Sequence, residues 1–245
     1  CFADEPLEQA LRRAAELEFS RVDLGISDAS GHVTPAQVVG DLAAVLTRIR
    51  QGPTIGVAGI TLRQQSQGEE ALERLTAVAQ LAKQLQTAIV TVSPAPAGAP
   101  LMDEVVRLQR WTKAASIHGV VLCILTEKGT LAGTPDGATE LCTKVPGLGL
   151  TLDPSHLLHG PAANEQYDDL FAYVRHVQLR DSGRGPDQFQ VPVGRGEIDY
   201  SKIVFQLARY HYRGTLVVDI ESAYNPAIEV DVEVRKLGRV LESLL

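Results

Sequence analysis

The chain has 245 residues, a formal net charge of −7 and a hydrophobic fraction of 44%. A chain of this length buries a core large enough to fold without disulfides or a structural metal. Its acidic balance, with no Lys/Arg run, argues against nucleic acid as the main partner. The longest apolar stretches are a few residues, far short of the roughly 20 needed to span a membrane. No basic-then-apolar signal segment opens the sequence. The three cysteines, Cys1, Cys123 and Cys142, have neither CxxC nor Cys/His zinc spacing. They read as buried thiols, Cys123 in a strand and Cys142 in a helix, which suits a reducing compartment and predicts a cytoplasmic protein.

In chain order, the sequence alternates helical apolar spacing with short β-branched runs. Pro6–Leu17 reads as a helix with Asp4 as N-cap and Leu7, Leu11, Ala14 and Ala15 as its inner stripe. Strand Arg21–Gly25 follows, then a helix opened by Thr34-Pro35 and running to about Ile49, then strand Thr54–Ile60. Gly68–Leu85 is a helix with Leu72, Leu75, Val78, Ala79 and Ala82 inward, and Ala88–Ser93 a strand. Helix Met102–Ile117 carries the single Trp111, beside Val105, Val106 and Leu108, so the ring is expected in the core rather than stacked on a ligand. Val120–Leu125 lacks polar alternation, as expected for a strand buried on both faces. Then come helix Thr134–Lys144, strand Leu148–Leu152, a short helix 165–173, strand His176–Leu179, helix Tyr200–Tyr210, strand Thr215–Ile220 and a closing helix Val230–Leu244.

Strict alternation of this kind means βαβ units and a parallel sheet. The length suits a single (β/α)8 TIM barrel spanning residues 1–245. Seven strands are visible. An eighth, before the first helix, would end at about Cys1-Phe2, so the first strand is predicted to be truncated or to lie at the extreme N-terminus. An open doubly wound sheet would show a Gly-rich first turn, and no GxGxxG follows an early strand.

In such a barrel the chemistry sits at the C-terminal ends of strands. Strand 148–152 is followed by Asp153-Pro154-Ser155-His156. Asp153 either caps the next turn or acts as a metal-binding or proton-handling carboxylate, with His156 contacting substrate. His176 and Gln178 share one face of their strand, as a polar layer or as ligands. Ser182-Gly183-Arg184-Gly185 and Val193–Asp199 make a glycine-rich loop able to fold over the mouth. There Arg184 and Arg195 either clamp a hydroxyl-rich or phosphorylated substrate or sit in solvent. Asp219 and Glu221 share a face of the last strand, and a carboxylate in an apolar strand is costly unless paired. Glu127 either points into the mouth or pairs with Lys128 or Lys144.

These segments resemble the xylose-isomerase-like TIM-barrel family of sugar-phosphate isomerases and epimerases over nearly the whole chain. The most specific stretches are Pro146–His156 (PGLGLTLDPSH), Val174–Gly185 (VRHVQLRDSGRG), Val191–Tyr200 (VPVGRGEIDY) and Tyr212–Glu221 (YRGTLVVDIE). Glu18 stands where a Gly is usual before the aromatic residue. The resemblance implies one divalent metal (Mn, Mg or Zn) held by Glu, Asp, His and Glu. Asp153 falls on the Asp, His156 on a substrate-contacting His and Arg184 on a loop Arg. The first Glu falls on Leu125, the His on Gln178 and the last Glu on Asp219, and Ser93-Pro94 stands where a His-Pro is common. Leu cannot ligate, Gln is a weak neutral ligand, and Asp is one methylene shorter than Glu.

The resemblance therefore implies an isomerase or epimerase acting on a small sugar, keto-sugar or polyol, with a degenerate divalent-metal site. Asp219, Glu127 and His156 are the candidate catalytic residues; His156, Arg184 and Gln178 the candidate substrate contacts; Asp153, Asp219 and Gln178 the candidate, weak metal ligands. The alternative is a non-catalytic sugar-binding barrel that has lost the metal. A phosphodiester-cleaving enzyme on this fold would need more metal ligands and a basic face. The expected partner is a small sugar or polyol, with no nucleic acid and no membrane, as monomer or oligomer. Metal binding is expected to be weak or absent, and Leu125→Glu with Gln178→His is expected to restore it.

Overall fold

The computed structural model describes residues 1–29, 32–161, 163 and 165–245. Seven strands, β1 (Arg21–Ser27), β2 (Gly56–Arg63), β3 (Ile89–Val92), β4 (Val121–Leu125), β5 (Gly149–Leu152), β6 (Val174–Leu179) and β7 (Leu216–Val218), form one sheet in chain order. The helices are α1 (Leu7–Glu16), α2 (Pro35–Gly40), α3 (Leu42–Arg50), α4 (Gly68–Gln84), α5 (Leu101–Ser116), α6 (Pro135–Lys144), α7 (Pro154–Leu158), α8 (Tyr200–Arg209) and α9 (Val230–Glu242). Neighbour-to-neighbour order with intervening helices is what right-handed βαβ connections produce. Among the described residues no strand precedes α1, and none of the helices is long and apolar enough to cross a membrane.

The chain groups into two compact units, one made of Phe2–Ser93 and Val105–Cys123, the other of Cys1, Pro94–Glu104 and Ile124–Leu245. In the first unit, β1 and β2 pair in parallel with Leu24 beside Ile60 and Ile26 beside Leu62, and β2 continues onto β3 with Ile60 beside Val90. These side chains are buried, and α4 covers them with Leu75, Val78, Ala79 and Ala82. Leu72, expected inward on α4, is half-buried and Ala71 takes the inner place. A cavity of about 690 Å³ lined by Val38, Val39, Leu42, Glu69, Leu72 and Glu73 lies on this unit and contains none of the predicted site residues.

Three local expectations are corrected in this unit. Asp4 does not cap α1: Pro6 occupies the cap position, no side chain caps the helix, and the Pro6 carbonyl accepts from Gln9 and Ala10. Of the expected stripe Leu7, Leu11 and Ala14 are buried but Ala15 is only half-buried, and Ala10 takes the inner place. The helix expected over 34–49 is broken at Gly40-Asp41. Gly is a poor helix former, and Asp41 leaves the helix at φ −154° so that its carboxylate accepts from Ala44 N at 2.9 Å and starts α3. Thr34 and Gln37 close a reciprocal capping box at the head of α2.

Trp111 packs inward as expected, 7% exposed, with the Arg107 guanidinium 4.2 Å from its ring centroid, whereas Val106 faces solvent at 54%. In the second unit β5, β6 and β7 are parallel, with Thr151 beside His176, Leu152 beside Val177 and Gln178 beside Val217. All four residues of β5 are buried. The helix expected over 165–173 is a 3₁₀ segment, Asp168–Ala172, anchored by buried Leu170 and Phe171. Among the described residues the three cysteines form no disulfide, and burial pushes the Cys142 thiol up to about 12, which makes it inert at neutral pH.

Trp111→Ala empties a packed ring position and is expected to lower unfolding stability by about 3–5 kcal/mol in urea titrations. A change below about 1 kcal/mol, the range of an exposed site, would contradict the buried placement.

Candidate active site

The site grows from the end of β5. Asp153 is fully buried, and its backbone N–H donates to Thr126 Oγ1 at 2.8 Å while the Thr126 hydroxyl returns a bond to the Asp153 carbonyl at 3.0 Å. The reciprocal pair ties the ends of β4 and β5 together. Asp153 Oδ1 accepts from Ser155 N at 2.9 Å and so caps α7, a helix the sequence reading took as a turn. Asp153 Oδ2 points the other way, 3.8 Å from His156 Nε2. The capping and site roles of this carboxylate, open in the sequence, are shared between its two oxygens.

Alternation along β6 puts His176, Gln178 and Arg180 on one face. His176 and Gln178 are buried. Arg180, just beyond the strand, was not singled out by sequence reasoning, yet it is the centre of the site. Its Nη2 lies 3.2 Å from Asp153 Oδ2 and also bonds Asp219 Oδ2. Asp219 is presented by β7, where its N–H donates to the Leu179 carbonyl at 2.8 Å, so strand pairing sets the two charges side by side. Arg180 is 2% exposed. Burial works against its charge, and Asp219, Asp153 and Glu221 outweigh that and hold the guanidinium firmly protonated. Its Nε and Nη1 are buried and have no hydrogen-bond partner among the described residues. Each such buried donor costs about 1–3 kcal/mol.

The loop after β6 covers this arginine. Asp181 anchors it, accepting from Ser182 N through Oδ1 and from Gly194 N (2.7 Å) and Gly196 N (3.1 Å) through Oδ2. Gly194 has φ +83°, open to glycine at little cost. At Gly196 a Cβ would collide with Asp181 Oδ1 and the Ser182 carbonyl. Gln190 pairs with the backbone of Glu221 as another strand would, donating at 2.7 Å and accepting at 2.8 Å. Phe189 is thereby buried against His156 (ring centroids 4.9 Å) and Tyr224 (4.8 Å). Phe189 and Tyr224 lie 5.1 and 5.0 Å from the Arg180 guanidinium, and Lys128 Nζ sits 4.5 Å from the Phe189 ring. These are cation–π distances.

The structure thus brings Asp153, His156 and Asp219 together around Arg180. His156 is buried and its pKa is lowered, chiefly by burial, with Asp153 opposing, so it is neutral at pH 7. Its Nδ1 accepts from Lys128 N at 3.4 Å. Glu127 is half-buried and acts electrostatically on His156. Its Oε2 is buried without a hydrogen-bond partner among the described residues. Arg184 is elsewhere: it is exposed, paired with Glu197 at 2.8 Å and bonded to the Ala163 carbonyl at 2.9 Å, bracing the outer side of the loop. Arg195 is exposed. Arg180 was legible in part, since it lies two residues beyond Gln178 on the same face. Phe189, Tyr224 and Gln190 carried no such signal.

These residues do not fit a divalent metal. Among the described residues no group of three His, Cys, Asp or Glu side chains is placed to hold one. Leu125 is hydrocarbon, Gln178 is a neutral amide, and Asp153 and Asp219 each already face a permanent cation.

A parallel β/α chain with its polar cluster at the strand ends belongs to the TIM-barrel class. The sequence profile of the xylose isomerase-like TIM barrel family matches residues 7–239, and the chain belongs to that family. No curated protein matches the sequence. Among solved structures, a xylose isomerase-like TIM barrel protein from Mycobacterium smegmatis in complex with magnesium superposes with TM-score 0.76 and 18% identity, covering 99% of this chain and 92% of that one. D-psicose 3-epimerase with D-tagatose from Clostridium cellulolyticum H10 gives 0.73 and 13%, covering 97% and 93%. An L-ribulose 3-epimerase gives 0.72 and 17%, covering 97% and 89%. At such identities the likeness is one of fold.

Two predictions follow from this geometry. A histidine with a depressed folded-state pKa binds fewer protons folded than unfolded between that pKa and 6.5, so stability falls as pH drops below 6.5 and is complete above it. His32 shares this behaviour. His156→Gln is therefore expected to remove part, not all, of the acid loss seen in urea unfolding between pH 7 and 5; an unchanged slope would mean His156 protonates freely. Gly196→Ala is expected to cost about 1–3 kcal/mol, as overpacking does, and to raise hydrogen exchange across 182–196. Unchanged exchange would show that the Asp181 anchor tolerates the added methyl.

Proposed function

We propose that this protein is an isomerase or epimerase of a small sugar, keto-sugar or polyol, working at the strand ends around Arg180. One observation carries the reading: Arg180 has Asp153 and His156 on its β5 side and Asp219 on its β7 side. A ligand oxygen bonded to the guanidinium is then flanked by proton-handling groups on both sides. That is the layout needed to take a proton from one face of a carbon beside a carbonyl and return it to another. In this scheme the neutral His156, with Glu127 behind it, handles the proton on one side and Asp219 on the other. Arg180 offsets charge developing on the carbonyl oxygen. Phe189 and Tyr224 keep water from the reacting centre. The fold neighbours that are sugar epimerases support this reading by kinship.

The test is proton exchange. Ketoses such as D-fructose and D-tagatose are incubated with the protein in D₂O and the carbons beside the carbonyl are followed by NMR. Deuterium incorporation is expected, and His156→Gln is expected to slow it by about 10²-fold or more, as loss of a general acid–base does. A second reading, a non-catalytic sugar-binding barrel, is favoured by the ion pair that already engages Asp219. Saturable sugar binding with no exchange at any carbon would establish that reading and overturn the first.

A further inference from the structure

We infer that the guanidinium of Arg180 is the resident cation of this site, held between the Asp153 and Asp219 carboxylates in place of a metal ion, and that it directs the site toward an uncharged ligand oxygen. The ligand half rests on the reading above; the cation half stands on the geometry alone.

Asp153 and Asp219, at the ends of β5 and β7, both turn an oxygen toward one point, and Arg180 Nη2 occupies it. A metal ion held by the same two oxygens would meet a fixed positive charge within hydrogen-bonding distance of its ligands. At that separation two cations repel strongly in a buried setting. Arg180 has no way to withdraw by losing its proton, since arginine stays charged in proteins, and it lies beneath the Phe189 ring.

The same guanidinium still has Nε and Nη1 buried without partners among the described residues. Those donors call for an acceptor. Asp153 and Asp219 already outnumber the guanidinium's charge, and Glu221 acts on it as well, so an anionic ligand is disfavoured. A carbonyl or hydroxyl oxygen meets the donors without adding charge.

The experiment is metal titration of the purified full chain. Elemental analysis after purification without chelator, and calorimetry with Mn²⁺, Mg²⁺ and Zn²⁺, are expected to show no stoichiometric metal. Tight one-to-one binding by the native protein overturns the proposal. Leu125→Glu with Gln178→His, which the sequence alone would expect to restore metal binding, is instead expected to stay metal-free while Arg180 is present. Adding Arg180→Ala to that pair is expected to raise Mn²⁺ affinity by about 10–100-fold or more, the scale on which neighbours of a metal site act. Arg180→Gln, which removes the charge and keeps most of the volume, carries the same expectation should the alanine variant fail to fold. Metal binding by the double variant with Arg180 intact, or no gain in a folded Arg180 variant, overturns the proposal. None of these readouts uses turnover, so they stand or fall separately from deuterium exchange.

Discussion

Burying a guanidinium under an aromatic ring is unfavourable by several kcal/mol unless its charge is met in place. Arg180 is met by two carboxylates, and each of them has a second structural task. Asp153 uses its other oxygen to start α7, which fixes where His156 stands. Asp219 is set by the β6–β7 ladder through the Leu179 carbonyl. Asp181, the very next residue, turns its carboxylate away and gathers the loop that carries Phe189 back over the arginine. Three strand ends, one helix start and one covering loop therefore depend on a single ion cluster. Removing one partner of such a cluster costs about 3–5 kcal/mol, because a charge is left buried and alone.

The electrostatics of that cluster also set what it can offer a ligand. A cation held by two carboxylates offers hydrogen bonds rather than open coordination positions. It can polarise a carbonyl or hold a hydroxyl, but it supplies no activated water. In the proposed reaction proton movement falls to side chains, and His156, kept neutral at pH 7 by burial, stands beside the cluster. Glu127 bears on the same histidine from the end of β4.

The alternation of strands and helices was readable because a fully buried strand such as β5 is written as an unbroken apolar run and its helices as 3.6-residue stripes. Asp153 and Asp219 were readable as charged residues at the ends of such runs. Arg180 was readable only in part, from its place on the same face as Gln178. Period-two alternation assigns a face, and it says nothing of how far a long side chain reaches or which neighbours meet it. Arg184 drew attention because glycines flank it, yet glycine permits a loop many paths, and this one leaves Arg184 on the outside with Glu197. The break at Gly40-Asp41 was a local competition that apolar spacing does not register: capping by Asp41 won over continuation of the helix.

The departures from the family's ligand pattern form a consistent set once Arg180 is included. The ligand set that the sequence resemblance implies, two Glu, one Asp and one His around a dication, would leave one net negative charge. Here a guanidinium carries half that charge, and Leu125, where the resemblance implies a Glu, is hydrocarbon. Asp153 and Asp219 against Arg180 again leave one net negative charge. Gln178 replaces a neutral imidazole with a neutral amide and leaves that balance untouched. Had Leu125 been a carboxylate beside Arg180, the cluster would hold a third buried anion against a single positive charge, and low surrounding polarity makes such an excess expensive. Hydrocarbon at Leu125 thus spares the cluster a third close anion, and Arg180 meets the two carboxylates that remain.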